Sequence, residues 1–166
     1  MLQGSRVRLR PLRAEDAPVL ARLAADPSVS RWWPGVDEDK VHGYAASTER
    51  EHSLAIEADG QVVGLAQFWE EDDPEYRHAG IDLFLGAPYQ DRGLGSDTVR
   101  TLARHLFRDR GHHRLVIDPA ADNTRAIRTY EKVGFKRVGV LRRYERTADG
   151  GWRDGVLFDL LDDELG

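Results

Sequence analysis

The sequence predicts an α+β domain: a mixed, mostly antiparallel sheet of about seven strands with flanking helices. Three observations point there. Apolar alternation over Ser53–Ala58 and Gln61–Trp69 is broken only by Asp59-Gly60, which reads as a hairpin turn. Helical periodicity recurs over Leu94–Phe107 and Asn123–Val133, and each run lies between strand-like segments, giving two crossovers. The resulting order, β–α–α–β–β–β–α–β–α–β–β, mixes hairpins with crossovers and lacks the strict alternation of a doubly wound sheet.

Each element has a local cause. Val7 and Leu9 alternate with Arg6, Arg8 and Arg10, which predicts a first strand. Ala14-Glu15-Asp16 opens a helix carrying Val19, Leu20 and Leu23 on one face, and it stops before Pro27. Trp32-Trp33-Pro34-Gly35 is an aromatic loop, and a weaker helix is expected from Asp37 to Arg50. After the hairpin, Glu70–Glu75 reads as a polar connection, and Ala79–Leu85 alternates through Ile81, Leu83 and Leu85. Val99, Leu102, Ala103, Leu106 and Phe107 form the apolar stripe of the next helix, which Arg110-Gly111 ends. His113–Ile117 is a short strand. Ala126, Ile127, Tyr130 and Val133 share one helical stripe, and Gly134 stops it. Phe135–Leu141 and Trp152–Leu160 close the domain around Ala148-Asp149-Gly150-Gly151.

The totals narrow the function. A chain of 166 residues fits one domain, residues 1–166, with room for a core. A net charge of −5 disfavours nucleic acid as a partner, since phosphate backbones need a basic face. The absence of cysteine removes disulfides, thiolate metal sites and thiol nucleophiles together. No apolar run approaches the roughly 20 residues that span a bilayer. Met1–Arg13 is basic and alternating, without the apolar centre of a signal peptide. The expectation is a cytoplasmic protein, monomeric or homodimeric, with no membrane partner. The six histidines (His42, His52, His78, His105, His112 and His113) show no metal-ligand spacing with a carboxylate and read as surface or structural, so no metal is expected.

The most informative segment is Gln90-Asp91-Arg92-Gly93-Leu94-Gly95, between an apolar strand and an amphipathic helix. A helix N-terminus presents unpaired backbone N–H groups and the positive end of the helix dipole, a ready site for a pyrophosphate. Gly93 and Gly95 let an anion approach the backbone closely. A Walker A loop needs Gly-Lys-Ser/Thr, and Gly95-Ser96-Asp97 stands here instead. A dinucleotide fingerprint needs a third small residue where Thr98 stands, in an early βαβ unit. A tight strand-to-helix turn without a ligand remains the plain alternative.

That turn, Gln90-x-x-Gly93-x-Gly95, followed by Asn123-x-x-Ala126-x-x-x-Tyr130-x-Lys132-x-Gly134-Phe135, closely resembles the GNAT acetyltransferase superfamily, and the order of elements extends the resemblance over nearly the whole chain. The resemblance implies acetyl-CoA as cosubstrate. Residues Gln90, Arg92, Gly93, Leu94, Gly95 and Ser96 would cradle its pyrophosphate. The strand ending at Phe84-Leu85 would splay from its neighbour and pair with the pantetheine arm. Asn123 would contact the pantetheine, with Ala126 and Lys132 in the same cofactor-binding set, and Tyr130 would lie near the sulfur.

Without cysteine, direct attack of an amine on the thioester is the economical route. The amine must lose a proton, the carbonyl oxygen must be stabilised and the leaving thiolate must be protonated. Asp82, a charged residue within a strand pattern, is the candidate base, though an outward-facing strand position explains it equally. Tyr130 is the candidate acid, and its apolar stripe also suits core packing.

Trp32-Trp33, Gly80-Ile81-Asp82, Ile117-Asp118-Pro119 and the Asn123–Lys132 segment are similar to aminoglycoside 6'-N-acetyltransferases within the superfamily. That resemblance implies a catalytic carboxylate at Asp82, antibiotic binding at Asp118, an acid at Tyr130 and a substrate wall at Trp33; it also suggests antibiotic resistance. Trp32 and Trp33 offer faces for sugars or cations. Glu70, Glu71 and Asp72 read as a solvated connection or as an acidic rim drawing a cationic amine into the cleft. The stretch Glu70–Tyr76 departs from the pattern. Arg142–Leu161, with Trp152-Arg153-Asp154-Gly155, looks more like acetyltransferases acting on protein N-termini, or general antibiotic-modifying relatives. The alternatives are therefore a protein or peptide N-terminal acetyltransferase and a non-catalytic acyl-CoA-binding sensor.

Overall fold

Period-two alternation sorts the strand residues into two cores, one on each face of a single sheet. In the computed structural model, which describes residues 1–47 and 51–166, the sheet has eight strands. They are β1 (Leu2–Gln3), β2 (Arg8–Pro11), β3 (Glu51–Ala58), β4 (Gln61–Glu71), β5 (His78–Leu85), β6 (Arg114–Ile117), β7 (Lys136–Arg146) and β8 (Trp152–Leu161). Their spatial order is β1-β2-β3-β4-β5-β6-β8-β7, and only the β5–β6 pair is parallel. On β3 and β4, Ala55 and Leu65 pack beneath α1 (Ala17–Ala24), α2 (Pro27–Ser30) and α3 (Glu38–Ala46). Their neighbours Ile56 and Ala66 point the other way, against α4 (Leu94–Arg108) and α5 (Thr124–Val133).

Several boundaries differ from expectation. The helix expected over Asp37–Arg50 has Asp37 as its cap, accepting from the Lys40 N–H at 2.8 Å, and ends at Ala46; residues 48–50 lie outside the described residues. Ala14–Asp16 forms a 3₁₀ turn before α1. Pro27 opens the short α2, capped by Asp26, which accepts from the Ser28 N–H at 2.9 Å. Two-residue β1 is too short to show a period. β4 continues through Glu70 and Glu71, and β7 runs on past Leu141 to Arg146. Gly134, in the left-handed region, ends α5 as expected.

One feature of the topology positions the site. β5 pairs with β6 only at Ala79↔Leu115 and Gly80↔Val116. Beyond Gly80 the two strands diverge: β6 stays with β8, while Ile81–Leu85 keeps β4 on one side and, among the described residues, no strand on the other. A free backbone edge therefore faces a wedge-shaped gap at the carboxyl end of β5.

Candidate active site

The chain leaves β5 through a 3₁₀ turn, Ala87–Tyr89, and enters α4 at Gly93, which has φ 80° and is the N-cap. The Asp97 N–H donates to the Gly93 carbonyl at 3.2 Å, so the N–H groups of Leu94, Gly95 and Ser96 precede the first helical bond and stay available to a ligand. The turn is held from several directions. The Arg6 guanidinium donates to the Arg92 carbonyl, and Asp97 accepts from the N–H groups of Ser5, Arg6 and Val7 at 3.1, 2.7 and 3.0 Å. The Gln90 amide donates to the Leu85 carbonyl at 2.9 Å and to Ser28 Oγ at 3.2 Å, and it accepts from Arg125. Gln90 thus clamps the end of β5 to α2 and α5 rather than standing free for a ligand.

The gap between β5 and β6 widens into a cleft of about 1020 Å³. Phe84, Leu85, Gln90, Gly93, Gly95, Ser96, Asn123, Ala126 and Lys132 all line it. Two residues of the expected cofactor set contribute no side chain to it: that of Leu94, 3 % exposed, packs into the core, and that of Arg92 projects into solvent. A Cβ on Gly95 would meet Thr129 at 3.5 Å and Leu85 at 3.7 Å, both ordinary contacts. Packing does not demand glycine there, whereas close approach of an anion does. The Asn123 side chain accepts from the Ala126 N–H at 3.3 Å, capping α5. Arg125 and Arg128, not singled out from sequence, add cations beside Lys132 on this wall.

At the other end, Asp82, Asp118, Tyr130, Tyr144 and Glu145 converge with Trp32 and Trp33. Alternation puts Asp82 on the same face of β5 as Phe84, whose ring meets Trp33 edge to face at 5.2 Å. Asp82 is open to the cleft but walled by protein. Those walls strip hydration and push its carboxyl up to about 7; the Leu83 N–H, bonded at 2.9 Å, opposes this, and the charges of Asp118 and Glu145 add to it. Tyr130 is 5 % exposed, and burial, then the charges of Asp82 and Asp118, raise its phenol above the ordinary value, so it keeps its proton. Burial also raises Asp118, against the hydrogen bond it accepts from Tyr144 and with the charge of Glu145. That bond, then burial, pushes the Tyr144 phenol up to about 12. A carboxylate poised near neutrality and a protonated phenol that line one cleft are chemically suited to act as base and acid.

A free strand edge, a glycine-lined helix N-terminus, a carboxylate and a phenol share this cleft, and comparison decides the family. The model of the acetyltransferase (GNAT) domain matches residues 6–136. The chain belongs to the GNAT acetyltransferase family. It is an N-acetyltransferase with acetyl-CoA as cosubstrate, and matched solved structures hold CoA or acetyl-CoA. It is 32 % identical over 155 residues to the aminoglycoside N(6')-acetyltransferase type 1 of Klebsiella pneumoniae, covering 81 % of this chain and 76 % of that one. It is 26 % identical over 156 residues to the spermidine N(1)-acetyltransferase of Escherichia coli K12, covering 90 % and 83 %. The Mycobacterium smegmatis RimJ structure in complex with CoA-disulfide superposes with a TM-score of 0.85 at 26 % identity, covering 96 % of this chain and 83 % of that one.

One sequence expectation for this acetyltransferase needs correction. Glu70, Glu71 and Asp72 do not rim the cleft. Glu70 and Glu71 end β4 and Asp72 follows it, three to five residues beyond Gln67, the register partner of Asp82. Glu70 is taken up by Arg110 and by His112 Nε2 at 2.6 Å, while Glu71 and Asp72 face solvent. Trp32 is also engaged: the guanidinium groups of Arg31 and Arg153 lie 4.6 and 5.2 Å from its ring centre. Among the described residues no group of three or more His, Asp or Glu side chains suits a metal ion.

Tyr144 and Glu145 escaped the sequence reading. They sit where the β7–β8 register jumps between Leu141 and Glu145, with Arg143 at φ 46° and its N–H held by Asp154 at 2.7 Å. The bulge turns both side chains toward the cleft.

The cradle end offers a test. A Cβ on Gly64 of β4 would run into the Phe84 carbonyl, backbone against backbone. Gly64→Ala therefore displaces the free edge of β5, and we expect a rise of about tenfold or more in the acetyl-CoA dissociation constant by calorimetry. An unchanged constant would show that the β5 edge does not hold the cosubstrate.

Proposed function

We propose that this acetyltransferase acetylates a primary amine of a polycationic acceptor, with an aminoglycoside 6'-amine as the best fit. The observation that carries this reading is the convergence of Asp82, Asp118 and Glu145 at the inner end of the cleft. The relatives named for aminoglycoside and for spermidine acetylation support it, since both acceptors carry several amines. The acidic rim first expected from Glu70–Asp72 is replaced by carboxylates from three separate strands and loops.

Acetyl-CoA supplies an acetyl group activated as a thioester. The free N–H groups of α4 take the pyrophosphate, Arg125, Arg128 and Lys132 offset its charge, and the Ile81–Leu85 edge bonds the pantetheine amides. Asp82 takes a proton from the incoming ammonium. Removing that proton at pH 7 costs roughly 4–5 kcal/mol for an alkyl ammonium, and an acceptor held among carboxylates gains local concentration to offset it. The freed amine attacks the thioester carbonyl, forming the C–N bond as the C–S bond breaks; Tyr130, kept protonated, hands a proton to the departing sulfur and is restored by the second proton the amine sheds on becoming an amide.

Steady-state thiol release with kanamycin, spermidine and an N-terminal peptide tests the acceptor. Kanamycin should exceed the peptide in kcat/KM by at least about a hundredfold. Turnover of the peptide alone would overturn the acceptor assignment, and CoA binding with no turnover of any amine would favour a sensor.

A further inference from the structure

Arg153, second residue of β8, stands in the wall of the cleft and is 17 % exposed at its side chain. Its guanidinium grips Glu145 in a fork, with Nη2 at 2.7 Å and Nε at 3.2 Å from the two carboxylate oxygens. Nη1 donates to the Arg31 carbonyl at 3.0 Å, and the guanidinium carbon lies 5.2 Å from the centre of the Trp32 ring. A carboxylate, a backbone carbonyl and an aromatic face are the three features that recognise an organic cation. They come from three segments, the β7 bulge, the end of α2 and the tryptophan loop. Among the described residues, neither Asp82 nor Asp118 has a cationic partner, so Glu145 is the one carboxylate of the inner cleft already matched.

We propose that Glu145, the Trp32 ring and the Arg31 carbonyl form a cation subsite that Arg153 fills as a tethered stand-in for one ammonium or guanidinium group. Arg153 then sets specificity. With it in place, the acceptor presents one fewer cation to the cleft or displaces the side chain toward solvent. Without it, Glu145 becomes available to an ammonium other than the one being acetylated. This consequence for substrates rests on the polycationic reading; the existence of the subsite does not.

The test separates the two. Ethylguanidinium, which copies the end of an arginine side chain, is titrated calorimetrically into wild type, Arg153→Ala and the double variant Arg153→Ala/Glu145→Gln. Binding in the millimolar range by Arg153→Ala, with none by the other two, is the expected result. No binding by Arg153→Ala, or equal binding by all three, overturns the subsite. CoA titration verifies that each variant is folded. Arg153→Met, which keeps the packing of the stem, is read instead where the alanine variant fails that control. In the same variant the KM for spermidine should fall about tenfold relative to that for propylamine, because only the polyamine has a second ammonium to place. Ethylguanidinium binding without amine turnover by any form would leave the subsite standing and remove the polycationic acceptor. An unchanged KM ratio together with absent ethylguanidinium binding would mark Arg153 as a brace between β7 and the tryptophan loop.

Discussion

Asp82→Asn will lower kcat by about 10²–10⁴-fold while leaving the acetyl-CoA dissociation constant within about threefold of wild type. The amide keeps the shape of the carboxyl and its place beside the Leu83 N–H but cannot take a proton from the amine. The pH profile gives the second readout. As the proposed base, Asp82 would act in its ionised form, and with its carboxyl pushed up to about 7, wild-type kcat/KM should rise as pH climbs through that value and fall away below it. In the variant that inflection disappears. Stability moves the opposite way. The folded value lies above the ordinary 3.8, so folding holds the proton more tightly than the unfolded chain does. The resulting stabilisation is present below 3.8 and lost as pH rises through 7, which makes ionised Asp82 a cost at pH 8. The asparagine variant should melt at or above the wild-type temperature there. Turnover within about tenfold of wild type, or a surviving inflection near pH 7, would remove Asp82 from the base role.

The faces that Asp82 and Tyr130 occupy follow from local period, whereas their roles as base and acid were implied only by the family resemblance. A strand alternating through Ile81 and Leu83 sets the face of Asp82, and a helical stripe through Ala126, Ile127 and Val133 sets that of Tyr130. The hairpin at Asp59-Gly60 and the glycine turn before α4 were legible for the same reason, and Asp59 and Gly60 do take up φ of 50° and 75°. What was not legible depends on distant partners. Gln90 reads as a ligand contact until Arg125, 35 residues on, and Ser28, 62 residues back, claim its amide. Tyr144 and Glu145 reach the cleft because of a register jump against β8, which no short window of β7 encodes. Glu70 sits in a run of like charge whose neutralising partners, Arg110 and His112, lie 40 and 42 residues away.

That last reassignment yields the largest effect on stability. Glu70→Gln should destabilise the fold by roughly 3 kcal/mol at pH 7, a fall of about 10 °C in melting temperature, while leaving kcat/KM for any accepted amine unchanged. The Glu70 side chain is 9 % exposed, and it accepts from Arg110 and from His112 Nε2, with His52 Nε2 3.5 Å away. Since a carboxylate can only accept, His112 Nε2 carries the proton in that bond. His112 is 2 % exposed and its Nδ1 has no partner among the described residues, so weakening the Glu70 bond leaves a buried ring poorly satisfied at both nitrogens. Burial opposes ionisation of Glu70, yet the hydrogen bonds from Arg110 and His112 outweigh it and hold the carboxyl down to about 2, below the ordinary 4.5. The sign follows: the contribution of the charged group is complete above 4.5 and disappears as pH falls through 2. The gap in unfolding free energy between wild type and Glu70→Gln should therefore close between those limits. A change in acceptor KM without a change in stability would return Glu70 to the substrate site. A stability loss that persists undiminished at pH 2 would show that packing, rather than the charge of Glu70, ties the end of β4 to the residues following α4.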